Sequence, residues 1–200
     1  MCQYSLVTRE APDFTADAVM PDNTFAPLTL SSYRGKYVVL FFYPLDFTFV
    51  CPSEILAFSK RLGEFKAKNC EVIGVSVDSK FTHLAWKNTA VENGGIGNIQ
   101  YPLVSDLKKE ISGQYGVLFE NAGVAFRGLF LIDTKGVIRH MLINDLPLGR
   151  NVSEVLRMVD ALQFVETHGD QVCPANWQEG DEAMSPTAEG VASYLAKHGK

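Results

Sequence analysis

Cys51 stands where an apolar run gives way to a helical pattern, in the string Pro44-Leu45-Asp46-Phe47-Thr48-Phe49-Val50-Cys51-Pro52-Ser53-Glu54. Pro52 suits a first helical turn, because the N–H it lacks would have no partner inside the helix. Cys51 then sits at or within that turn, where unpaired backbone N–H groups and the positive end of the helix dipole favour a thiolate. The Thr48 hydroxyl, three residues earlier, is near enough along the chain to bond the sulfur or an oxygen approaching it. The opposing reading is a buried, inert cysteine, the commoner fate of a free thiol. Position alone leaves both open.

The remaining cysteines, Cys2, Cys70 and Cys173, form no CxxC pair and none lies near a histidine at zinc-finger spacing. Cys70 precedes an apolar strand and reads as a small core residue, while Cys2 at the chain start has no motif partner. His83, His140, His168 and His198 are scattered, which disfavours a metal site or a Cys–His protease. The reading calls for no metal and no cofactor.

The elements that must position Cys51 read as follows. Tyr37 to Tyr43 is a continuous β-branched and aromatic run closed by Pro44, the pattern of a strand buried on both faces. Ile55, Phe58, Leu62 and Phe65 recur at steps of three and four, predicting an amphipathic helix over 52–68. Val72 to Val77 is the next strand, and 78–93 reads as helical with Phe81, Leu84 and Ala85 apolar. Strand, helix, strand, helix in that order predicts a parallel α/β core. Two apolar strands, 126–132 and 137–143, flank the turn-rich Asp133-Thr134-Lys135-Gly136 and predict a hairpin. Asn151 with Glu154 reads as a capping box opening a helix through Val155, Leu156, Val159 and Leu162. A βαβ unit, a hairpin and a final helix make the plan of a thioredoxin-like fold, a central mixed sheet flanked by helices. Residues 1–167 would form that domain and 168–200 an extended arm, with a short helix near 191–197. An arm with little core of its own usually lies on something, often a partner subunit.

Composition narrows the class. A chain of 200 residues at 46% apolar and 20% charged is an ordinary globular one. With 18 Lys and Arg against 23 Asp and Glu, it lacks the cationic excess that phosphate binding needs, so no nucleic-acid partner is expected. No apolar stretch reaches the length of a membrane span. The start, Met1-Cys2-Gln3-Tyr4-Ser5, lacks the basic run and apolar core of a signal peptide, and a cytoplasmic protein is the expectation. Any disulfide it makes would then be catalytic rather than structural.

The spacing Pro44-x3-Thr48-x2-Cys51 resembles the active-site signature of the peroxiredoxins, and the string FFYPLDFTFVCPSE is similar to their typical 2-Cys branch. Further similar segments run almost the whole chain: Val77 to Ser79 with Phe81 to Trp86, Arg127 to Asp133, Asn144 to Arg150, and Val172 to Trp177. The resemblance implies a thiol peroxidase acting on hydrogen peroxide and organic hydroperoxides. Cys51 would be the peroxidatic cysteine, oxidised to a sulfenic acid as it releases water or an alcohol. Arg127 would stabilise the thiolate and polarise the peroxide, Thr48 would hold the peroxide oxygens, Pro44 would shield the pocket, and Glu54 would orient Arg127. Without Cys51, Arg127 would read as a surface ion pair.

Cys173 matches the resolving cysteine, carried on the arm of the neighbouring subunit in an antiparallel homodimer with two intersubunit Cys51–Cys173 disulfides. A disulfide needs Cα atoms about 5.5–6 Å apart, so the arm must be brought to the site and the first turn at Cys51 must unwind. The family also implies a ring of five dimers, through the region around Trp86, and recycling by thioredoxin or a similar dithiol. Gly94-Gly95-Ile96-Gly97 matches a loop that, in the branch sensitive to over-oxidation, works with a C-terminal Tyr-Phe pair. Here the pair is Tyr194-Leu195, which predicts intermediate sensitivity. Two other classes compete: a ring-forming holdase or redox-signalling scaffold, and a thioredoxin-type oxidoreductase, which the missing CxxC disfavours.

Overall fold

A computed structural model describes residues 5–199; Cys2 and the first residues read above for a leader lie outside them. The chain divides into two compact units, one ending at Val152 and one beginning at Ser153. In the first, β1 (Thr15–Val19), β2 (Phe25–Thr29), β3 (Tyr37–Phe42), β4 (Cys70–Ser76), β5 (Leu103–Ser105), β8 (Arg127–Ile132) and β9 (Ile138–Asn144) form one sheet in the order β2-β1-β5-β4-β3-β8-β9. Its helices are α1 (Cys51–Lys60), α2 (Leu62–Ala67), α3 (Lys80–Asn88) and α4 (Glu110–Gln114), and β6 (Leu118–Phe119) pairs with β7 (Val124–Ala125) in a separate ribbon. The pairs β3–β4 and β4–β5 are parallel; β3–β8, β8–β9, β1–β2 and β1–β5 are antiparallel. The sheet is therefore mixed, with the expected parallel βαβ unit at its centre and the expected hairpin at one side.

The run at 37–43 forms β3 because both its faces are covered. Side chains alternate across a strand, and Val38, Leu40 and Phe42 join the main apolar cluster. On the other face Phe41 stacks on Phe58 of α1, with ring centroids 4.6 Å apart, and meets Tyr101 edge-on at 6.0 Å. Tyr101 in turn donates to the Ile55 carbonyl at 2.8 Å. The helix bearing Cys51 is thus held on the sheet by rings whose burial contributes about 1.5–3 kcal/mol apiece.

Three boundaries depart from the sequence reading. The helix expected over 52–68 breaks at Arg61 (φ −106°, ψ 9°) into α1 and α2, beside Gly63, a poor helix former. Phe58, Leu62 and Phe65 stay buried across the break. The helix expected over 78–93 is shorter at both ends: Ser79 caps α3 by accepting from Thr82 N, and the chain turns extended at Thr89. Cys70 opens β4 rather than preceding it.

The second unit contains most of α5 (Val152–Thr167) and all of α6 (Ala188–His198). The short helix expected at 191–197 begins earlier, at a Thr187 cap whose hydroxyl accepts from Gly190 N. Between the helices the arm closes on itself: Val172 N donates to Met184 O at 2.8 Å and Met184 N to Val172 O at 3.0 Å. Glu154, read as half of a capping box, is engaged by Arg157 at 2.7 Å. Among the described residues, no helix is long and apolar enough to cross a membrane.

Candidate active site

Cys51 is the first residue of α1, with Pro52 beside it in the first turn, and it is fully buried. The loop before it, 43–50, is fixed by a carboxylate that no motif singled out. Asp46 N donates to Asp78 Oδ2 at 2.9 Å, the Tyr43 hydroxyl donates to Asp46 Oδ1 at 2.8 Å, and His83 Nδ1 lies 2.7 Å from Asp46 Oδ2. With His83 Nε2 donating to the Val104 carbonyl at 3.2 Å, Nδ1 and the carboxylate share a proton. Burial pushes the Asp46 carboxyl up, and the bonds from His83 and Tyr43 only partly oppose it. The loop then takes a left-handed turn at Phe47 (φ 52°), whose ring packs 5.7 Å from Trp86.

That turn places Thr48 over the sulfur. Its Oγ1 is 3.0 Å from Cys51 Sγ and 2.8 Å from the Leu45 carbonyl. One hydroxyl has one proton. With a protonated sulfur the hydroxyl donates to Leu45 and accepts from the thiol; with a charged sulfur it turns and donates to it. The second donor is Arg127 at the start of β8, whose Nη1 lies 3.4 Å from Sγ. Its Nε donates to the Leu146 carbonyl and its Nη1 to Glu54 Oε2, both at 2.7 Å. Two donors on one buried sulfur suit negative charge there.

Arg127 is no surface ion pair, since its side chain is 4% exposed and that of Glu54 3%. The same carboxylate holds a second cation that sequence reasoning missed. Arg150 donates from Nε to Glu54 Oε1 at 2.7 Å and from Nη2 to Oε2 at 2.9 Å, and its backbone N–H reaches Oε1 at 2.8 Å. Its Nη1 donates to Phe42 O at 2.8 Å and Gly128 O at 2.7 Å, joining the end of β3, the start of β8 and the first turn of α1. Burial pushes the Glu54 carboxyl up, but hydrogen bonds and charge from Arg150, with the charge of Arg127, outweigh it and leave it below its ordinary value. The signal for Arg150 was its place at the end of the segment Asn144 to Arg150; Asp46 and His83, 37 residues apart, offered none.

Against the two donors opens a cavity of about 440 Å³ lined by Pro44, Thr48, Phe49, Val50, Arg127, Leu146 and Pro147. Its walls are mainly apolar, with Thr48 and Arg127 supplying the polar groups. A buried sulfur facing two donors beside such a cleft can attack a small molecule whose leaving atom gathers negative charge. Of the six residues singled out from sequence, Cys51, Thr48, Arg127, Pro44 and Glu54 come together here. Cys173, in the second unit, is half-buried with its sulfur 3.8 Å from the Ala161 carbonyl. Cys70 is buried and desolvation pushes its thiol up to about 12, consistent with a core role. Trp86 is wholly buried, and its Nε1 donates to Gly94 O at 2.8 Å, anchoring the glycine loop. Among the described residues, no group of three or more His, Cys, Asp or Glu is placed to hold a metal ion.

Two family models match the chain: the AhpC/TSA family over residues 7–141 and the C-terminal domain of 1-Cys peroxiredoxin over 161–197. The chain is similar to Peroxiredoxin-1 of Gallus gallus, 56% identical over 193 residues covering 96% of each protein. It is likewise similar to Peroxiredoxin-2 of Mus musculus, 54% identical over 192 residues and 96% of each. Among solved structures, the reduced 2-Cys peroxiredoxin of Plasmodium vivax superposes with a TM-score of 0.93 at 53% identity, covering 96% of this chain and 99% of the other. AhpC of Enterococcus faecalis superposes with a TM-score of 0.80 at 38% identity, covering 85% and 99%.

Proposed function

The chain belongs to the AhpC/TSA family of peroxiredoxins and is a thiol peroxidase; from that premise we propose how its residues divide the reaction. Cys51 is the peroxidatic cysteine. Its thiolate attacks one oxygen of a hydroperoxide; the S–O bond forms, the O–O bond breaks, and the departing oxygen takes a proton to leave as water or alcohol. Thr48 and Arg127 hold the two oxygens and stabilise the charge on the leaving one. Glu54 orients Arg127, and Pro44 keeps water off the sulfur. The observation that carries this reading is the convergence of the Thr48 hydroxyl, at 3.0 Å, and the Arg127 guanidinium, at 3.4 Å, on one buried sulfur at a helix start.

Cys173 resolves the sulfenic acid by forming a disulfide with Cys51 of the opposite subunit in a homodimer, and thioredoxin or a similar dithiol reduces it. Five such dimers assemble into a ring. The similarity to a 2-Cys peroxiredoxin across 96% of the chain supports the two-cysteine cycle. The match of 161–197 to the C-terminal domain of 1-Cys peroxiredoxin favours a second reading, in which an external thiol resolves Cys51. Peroxide consumption by Cys51→Ser tests the first step: the variant should be inactive, whereas a holdase would keep its function. Non-reducing electrophoresis after one equivalent of peroxide separates the two cycles. A covalent dimer lost in Cys173→Ser supports the two-cysteine cycle; turnover undiminished in that variant supports the other.

A further inference from the structure

Within the second unit, Cys173 rides on a loop pinned to α5. Trp177, four residues on, is 3% exposed; its ring packs 4.8 Å from Phe164 and its Nε1 donates to the Asp181 carbonyl at 3.1 Å. The Cys173 sulfur lies 3.8 Å from the carbonyl of Ala161. One helical turn before Ala161, on the same stripe of α5, stands Arg157. Its Nε and Nη2 fork onto the Glu154 carboxylate at 2.7 Å, and its Nη1 donates to the Trp177 carbonyl at 2.9 Å. An i,i+3 pair with Glu154 alone would be an ordinary surface ion pair contributing little. The bond to a loop carbonyl twenty residues away has no place in that account. It ties the loop that carries the sulfur to a fixed positive charge.

We propose that Arg157 is the positioning residue for Cys173: it holds the sulfur-bearing loop to α5 through the Trp177 carbonyl, and from that anchor its charge favours the thiolate that resolves the sulfenic acid. This rests on the reading of Cys173 as the resolving cysteine. In that step the Cys173 thiolate attacks the sulfur of Cys51–S–OH. The S–S bond forms, the S–O bond breaks, and the hydroxide released combines with the proton Cys173 gave up, leaving as water. No oxidant is needed beyond the peroxide already consumed. Burial pushes the Cys173 thiol above its ordinary value, and the charge of Arg157 works against that rise. Of the other ionisable groups in this unit, Glu154 shares the guanidinium of Arg157, Asp181 Oδ2 accepts from Gln178 N, and His168 stacks on Phe164.

Rapid-mixing fluorescence on the full chain separates peroxide reduction from disulfide formation and tests the proposal. Arg157→Gln should leave the first phase unchanged and slow the second roughly tenfold at neutral pH, the change one pK unit produces. The pH profile of that second phase should move to higher pH, and Arg157→Lys, which keeps the charge, should restore most of it. An unshifted profile, or equal slowing by Gln and Lys at every pH, would assign Arg157 to loop structure alone and overturn the proposal. A covalent dimer that persists in Cys173→Ser would instead sink the reading beneath it, whatever Arg157 does.

Discussion

At the residue scale, the chemistry depends on the number of donors aimed at one sulfur. Thr48 has a single proton and two acceptors, Sγ at 3.0 Å and the Leu45 carbonyl at 2.8 Å. It can follow the charge on the sulfur by rotating about one bond, where Arg127 is locked by Leu146 and Glu54. Thr48→Val keeps the shape and removes the proton. It should lower the rate constant for peroxide by about 10²-fold, the usual loss for one donor at a developing oxyanion, while Thr48→Ser retains most of it. Competition kinetics would measure both, and equal rates for Val and Thr would remove Thr48 from the mechanism. Cys51 and Thr48 were legible from the short string they share, and Pro44 in the same string became legible as a site residue through resemblance. Arg127 and Glu54 became legible as partners only through resemblance, since they are 73 residues apart.

At the scale of elements, Glu54 makes the junction of β3, β8 and α1. Its carboxylate is held by Arg127 and Arg150, whose side chains are 4% and 0% exposed. Removing one member of such a buried group leaves charge uncompensated, at a cost of about 3–5 kcal/mol. Glu54→Gln should therefore lower the urea midpoint markedly at neutral pH. The sign of its pH dependence follows from a carboxyl depressed in the folded state. The stability is present above the ordinary value of 4.5 and is lost as pH falls through the lower folded value. Wild type should lose this part of its stability on acidification, and the Gln variant should lack that part of the profile; parallel profiles would contradict the assignment. The strand at 37–43 and the hairpin around Asp133 were readable from apolar runs and turn residues. The break at Arg61 was not, because Phe58, Leu62 and Phe65 keep helical spacing across it. Nor did the short strand β5 announce itself, since three residues carry too little periodicity.

At the scale of the whole molecule, the proposed cycle needs the first turn of α1 to open while the sulfenic acid survives, so the balance between opening and a second oxidation sets peroxide tolerance. Gly94 to Gly97 is a structured turn rather than a loose one: a Cβ on Gly95 would stand 1.9 Å from the Thr89 carbonyl oxygen, so only glycine fits there. In α6, Tyr194 stacks on His198 at 4.5 Å and Leu195 is 54% exposed. Leu195→Phe, which introduces the Tyr-Phe pair of the branch sensitive to over-oxidation, should make turnover fail at lower peroxide in a titration followed by mass spectrometry of the sulfinic acid. An unchanged titration would detach α6 from this control. By itself the sequence determined the local code: where apolar runs become strands, where proline opens a helix, and which cysteine stands at a helix start. Those are decided by residues within a turn or two of each other, through backbone sterics and periodic burial. Only the tertiary structure decided that Arg150 shares Glu54 with Arg127, that Asp46 and His83 brace the Thr48 loop, and that Arg157 stands on the stripe where Cys173 lies. Each is a contact between distant segments, selected by the need to pair a buried polar group or to hold a loop, and no local pattern encodes it.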